Sequence, residues 1–111
     1  MASVIVKSRF CDKTHRIDVS MKDDGDLSVS IDSDCENVRD FAKILGDTLT
    51  MQDVTDRTES RLFDPEVVQP LTLTCLVPIG ILDAAWLEMG MMSVSRAKLV
   101  QNDEISFELL K

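Results

Sequence analysis

The sequence has no tyrosine and a single histidine, His15, in 111 residues. Few side chains are therefore available to move a proton near neutral pH, where histidine does most such work. Glycine and proline are scarce, at four and three, which excludes collagen-like and Gly/Pro-rich low-complexity architectures. No run of about eighteen apolar residues occurs, so no membrane-spanning helix is expected. The opening MASVIVKSRF goes straight into an alternating pattern and lacks a signal-peptide core, so a cytoplasmic location is expected. Positive charge is in deficit: 12 Lys and Arg stand against 20 Asp and Glu, a formal net charge of −8. Phosphate binding needs a basic face, so neither nucleic acid nor an anionic membrane surface is an expected partner. An acidic surface suits solubility and can attract a metal cation or a basic partner.

Catalytic signatures are missing as well. There is no Gly-rich phosphate loop, no nucleophile elbow and no His-Glu-x-x-His helix. A catalytic Cys35–His15 pair would need a third, orienting group that the pattern does not identify. No Cys-x-x-Cys pair occurs, so the usual structural-zinc spacing is absent. The acidic stretch Asp23, Asp24, Asp26 is too short for a calcium loop and lacks its bidentate Glu. An enzyme is not the favoured reading.

What is present describes a globular domain. The chain is 44% hydrophobic and 29% charged, and its length suits one domain over 1–111. Val4, Val6 and Phe10 share one parity, with Lys7 and Arg9 on the other, which predicts a strand over roughly 3–10. Ile17, Val19 and Met21 predict a second strand that carries His15 on its apolar face. Asp23-Asp24-Gly25-Asp26 reads as a hairpin turn, and Leu27, Val29 and Ile31 as a third strand. Then the period changes. Val38, Phe41, Ala42 and Leu45 follow helical spacing, with Ser33 and Glu36 as a capping box and Gly46 as the stop. A short helix is expected over 50–58 with Thr50 as its cap. Another starts at Asp64-Pro65-Glu66 and closes at Pro70. Pro78 fits the first turn of a longer helix to about Gly90, with Ile79, Leu82, Ala85, Trp86 and Met89 inward. Ile105, Phe107 and Leu109 predict a final strand. The order βββ-α-α-α-β implies an α+β two-layer sandwich: an antiparallel three-stranded meander plus a C-terminal strand, with helices on one face.

The three cysteines, Cys11, Cys35 and Cys75, are odd in number and far apart, a poor disulfide framework. The meander puts Cys11 in the first turn and Cys35 just past the third strand, at the same edge of the sheet. Two strand spacings separate them, about 10 Å. Cys75 precedes the long helix and joins that edge if the long helix runs parallel to the first. Helix N-termini favour a thiolate, whereas Asp32, Asp34 and Glu36 oppose one at Cys35 unless a cation is present. His15 or Asp12 can then complete a four-coordinate set around zinc or an iron–sulfur cluster. Each feature also has a plain reading: free cysteines act as small buried hydrophobes, a lone inward histidine as a satisfied core residue, and Met89, Met91 and Met92 as gap-fillers.

Three segments carry a resemblance: Cys11-Asp12, Ser33-Asp34-Cys35, and Gln69-Pro70-Leu71-Thr72-Leu73-Thr74-Cys75 running into Ile81-Leu82-Asp83-Ala84-Ala85. Their layout resembles the iron–sulfur cluster scaffold fold of IscU and the N-terminal domain of NifU. That resemblance implies the same two-layer fold and a cluster or zinc held by Cys11, Cys35 and Cys75. The scaffolds differ in having Cys-Gly-Asp at the first site and a histidine where Thr74 stands. The chain is also similar to small three-cysteine proteins of anaerobic prokaryotes, through Ser33-Asp34-Cys35-Glu36-Asn37 and Cys75-Leu76-Val77-Pro78. That group brings no activity with it. The leading expectation is a non-catalytic zinc or iron–sulfur binding protein, with a protein partner or homodimer open. The alternatives are an interaction module with buried structural cysteines, or a thiol redox or transfer protein.

Overall fold

Alternation builds the sheet. In the computed structural model, which describes residues 1–108, β1 (Ala2–Ser8), β2 (Lys13–Met21) and β3 (Leu27–Ser33) form an antiparallel meander. Gly25 takes a φ of 92° in the second turn, a conformation open to a residue without Cβ. One face of the sheet buries Val6, Ile17, Val19, Leu27 and Val29. The helices cover that face, so the architecture is α+β in two layers.

The fourth strand is not the expected one. It is β4 (Thr48–Leu49), which pairs with Leu27 and Ser28 to give the order β1-β2-β3-β4. Residues 104–108 join no ladder, and Ile105 and Phe107 are about three-quarters exposed at 73% and 72%; Leu109 lies outside the described residues. Alternation gives that segment strand character but not a partner, and the chain enters it through Gln101 in the left-handed region (φ 69°). Two residues, conversely, are too few to show a period, which hides β4 from any pattern reading.

α1 (Glu36–Leu45) buries Val38, Phe41 and Leu45, as its spacing predicts, and Gly46 ends it at φ 82°. Its N-cap is Cys35, without a side-chain cap bond. Ser33 is not the cap because it is still the last residue of β3, paired with His15. That places Glu36 at the first helical position rather than the third, so no capping box forms. α2 (Met51–Thr55) has Thr50 as cap, in a reciprocal box with Asp53. It stops short of residue 58 because Asp56 turns its carboxylate onto the amide and hydroxyl of Thr58. A 3-10 turn (Arg61–Phe63) leads to α3 (Pro65–Val68), capped by Asp64.

α4 (Val77–Glu88) lies against β1 and β2. Its buried residues are Val77, Gly80, Ile81, Ala84 and Ala85. Of the expected inward set, Ala85 is buried and Leu82 and Met89 pack at the core margin, whereas Ile79 is 47% exposed and Trp86 36%. The helix is apolar nearly all round, so hydrophobicity does not choose its face; size does. A Cβ at Gly80 would collide with Val6 and come within 3.0 Å of Ile17, so the small residues face the sheet and let the backbones approach. Trp86 instead donates its indole N–H to the Val54 carbonyl at 2.8 Å, tying α4 to α2. α5 (Val94–Val100) starts at Ser93 and buries no residue. No helix among the described residues is long and apolar enough to cross a membrane.

Candidate functional site

The direction of α4 decides where the cysteines lie. Glu88, at its C-terminal end, accepts the Met21 amide at 2.9 Å and pairs with the N-terminal ammonium at 3.2 Å. Met1 and Met21 mark the end of the sheet opposite the Cys11 turn. α4 therefore begins on the Cys11 side, as α1 does at Cys35, and the two helices run the same way. Cys11 sits in the β1–β2 turn, Cys35 caps α1, and Cys75 comes two residues before α4.

The three thiols differ in exposure and share an electrostatic neighbourhood. Cys11 is exposed, while Cys35 and Cys75 are half-buried and pack against the apolar core. Burial pushes the Cys75 thiol above its ordinary pKa, the Val77 amide opposes that shift by donating to the sulfur, and charge on Cys35 and on Cys11 adds to it. Those couplings put both other cysteines within the field of Cys75. The grouping is wider than a coordination sphere: among the described residues, no three His, Cys, Asp or Glu side chains are gathered as they would be to hold a metal ion.

His15 is buried, 1% exposed, and both ring nitrogens are occupied. Nδ1 lies 2.7 Å from the Ser33 hydroxyl and Nε2 3.1 Å from the Ser8 hydroxyl. Burial lowers its pKa below 6.5, and the nearby charge of Asp34 opposes that shift. With no free nitrogen it is a satisfied core histidine in this arrangement. Asp12 lies in the exposed first turn beside Cys11, with φ at 56°. A residue other than glycine there is uncommon, and Asp tolerates it better than most.

Two serines and one carboxylate hold the site together, and they were absent from the expected set. The Ser33 hydroxyl accepts the Cys35 amide at 3.0 Å while it contacts His15. The Asp34 carboxylate accepts the Thr14 amide at 3.2 Å. Thus Ser33-Asp34-Cys35 bolts the start of α1 to β2. Parity is the signal that exposes this: Ser8 shares the face of Val6, and Ser33 is the direct cross-strand partner of His15.

The arrangement defines an α+β domain with a cysteine-bearing rim at two parallel helix starts. The chain belongs to a family of unknown function, DUF6951, whose model matches residues 2–100. No curated protein and no solved structure matches it.

Proposed function

We propose that this protein binds a soft metal, as zinc or an iron–sulfur cluster, through Cys11, Cys35 and Cys75, and that it does so without catalysing a reaction. The observation that carries the reading is the placement of Cys11, Cys35 and Cys75 on one rim, at the β1–β2 turn and at the starts of two helices that run the same way. Charge on Cys35 and on Cys11 opposes ionisation of the Cys75 thiol, and a thiophilic cation removes that opposition. Asp12 is the better fourth ligand, because both His15 nitrogens already have partners. Closing the set requires the Cys11 turn to draw toward Cys35 and Cys75, and that turn is exposed. The likeness to iron–sulfur scaffolds in the three cysteine segments supports the same reading.

The test is purification without oxygen, followed by assay of iron, sulfide and zinc. The expected outcome is about one metal or cluster per chain, lowered by each of Cys11→Ser, Cys35→Ser and Cys75→Ser. A metal-free protein, or metal content untouched by the three substitutions, ends the proposal. Affinity falls on acidification, because thiols must ionise to bind and the Cys75 thiol is the reluctant one.

A second reading has its own observation: Cys35 and Cys75 pack against the apolar core. On that reading the domain is an interaction module whose cysteines are structural. Both thiols then resist alkylation until the protein unfolds, and no metal copurifies. A thiol redox or transfer role gains nothing from Cys75, because a nucleophilic thiol needs a depressed pKa and this one is raised.

A further inference from the structure

β1 stands at one margin of the sheet, with an unpaired edge seven residues long among the described residues. An open edge of that length is a template for another strand. The same chain carries a strand without a ladder. Residues 102–108 alternate at Ile105 and Phe107, are exposed throughout, and pair with nothing in the sheet. Their charge is one-sided: Asp103, Glu104 and Glu108, with no Lys or Arg. The β1 end of the sheet has the opposite sign. Lys7 and Arg9 are exposed there, and neither forms an ion pair among the described residues.

We propose that segment 102–108 of one copy adds as a strand to the free edge of β1 in a second copy, giving an arm-exchanged dimer. The occupant is a second copy because the whole arm, and not its tail alone, stays largely exposed among the described residues of one chain. α5 buries no residue and leaves Val94, Leu99 and Val100 exposed at 47%, 74% and 42%. Within its own chain the tail comes near the same end of the sheet, where Phe107 meets the Phe10 ring edge-on at 6.0 Å between centroids. It makes no backbone ladder there. Exchange across a two-fold axis pairs both tails with both edges at once and brings the two arms together. Carboxylates then lie along Lys7 and Arg9, which sets orientation and partner choice.

The test uses two charge-reversed forms of the full chain: Lys7→Glu with Arg9→Glu, and Glu104→Lys with Glu108→Lys. Mass is read by sedimentation equilibrium. The expected result is a dimer for the unaltered protein and dimerisation weakened about tenfold or more in each variant alone. Mixing the two variants restores a dimer, now mixed, because each tail meets an edge of opposite sign. All four substituted residues are exposed, and far-UV circular dichroism verifies that each variant is folded. An unaltered protein that is monomeric at every concentration overturns the proposal. So does a dimer indifferent to both reversals, or variants that stay apart on mixing. A monomer in which hydrogen exchange protects residues 102–108 identifies the tail's own β1 as the occupant and equally overturns it.

Discussion

A neutral imidazole closed between two serine hydroxyls has a pH signature of its own. Folding lowers the His15 pKa below its ordinary 6.5, mainly by burial. The unfolded chain therefore takes up this proton at higher pH than the folded chain does. The stability tied to a neutral His15 is complete above about pH 6.5 and is lost as the pH falls through the lower folded value. His15→Gln removes this linkage. The expectation is a midpoint of thermal unfolding that falls more steeply from about pH 7 to about pH 5 in the unaltered protein than in the variant. Parallel curves would mean that the ring is not buried neutral. At neutral pH the variant is itself less stable, by about 1–2 kcal/mol, because Ser8 and Ser33 lose a shared partner.

Among the elements, α4 shows how size overrules apolarity. A reading by helical spacing puts Ile79 and Trp86 inward, yet the face against β1 and β2 belongs to Val77, Gly80, Ile81, Ala84 and Ala85. Gly80→Ala should gain about 1 kcal/mol in helix propensity. It should lose more, about 1–3 kcal/mol, because its methyl group meets Val6 and Ile17 in a packed core. The net expectation is a lower urea midpoint. Ile79→Ala, at a position nearly half exposed, should change that midpoint by no more than about 0.5 kcal/mol. The reverse ranking would restore the face drawn from spacing alone.

At the scale of the whole molecule, one guanidinium joins parts that no short pattern connects. Arg61 donates to the Leu45 carbonyl at 2.9 Å, the Thr48 carbonyl at 2.7 Å and the Asp53 carboxylate at 2.6 Å. It thereby clamps the end of α1, β4 and α2 around one point. Burial pushes the Asp53 pKa up, but bonds from the Arg61 side chain and amide and from the Thr50 amide outweigh it and hold the carboxyl below its usual range. Its stabilising charge is present above that range and is lost as pH falls through the depressed value. Arg61→Ala leaves Asp53, 2% exposed, without its counter-charge. The expected cost is about 2–3 kcal/mol by urea unfolding, discounted from a fully buried pair because the arginine is about one-third exposed. Arg61→Lys should recover only part, since an ammonium does not reproduce the three-way fork. Full stability in Arg61→Ala would remove the clamp from the account of the fold.

The sequence by itself determined the meander, the turn at Gly25, the inner stripe of α1 and the cap at Thr50. Each depends on residues a few positions apart, where period and backbone preference act directly. It also determined that Cys11 and Cys35 share an edge, because strand direction alternates in a meander. Only the tertiary structure decided the rest. The two-residue β4, the face of α4 and the clamp at Arg61 depend on which surfaces meet, and contacts between distant segments leave no period in the chain. Cys75 reaches the rim because α4 packs parallel to α1. His15 loses both nitrogens to Ser8 and Ser33 because the strand register sets them beside it. The final segment keeps its alternation without a ladder, because a strand needs a neighbouring edge as well as a pattern.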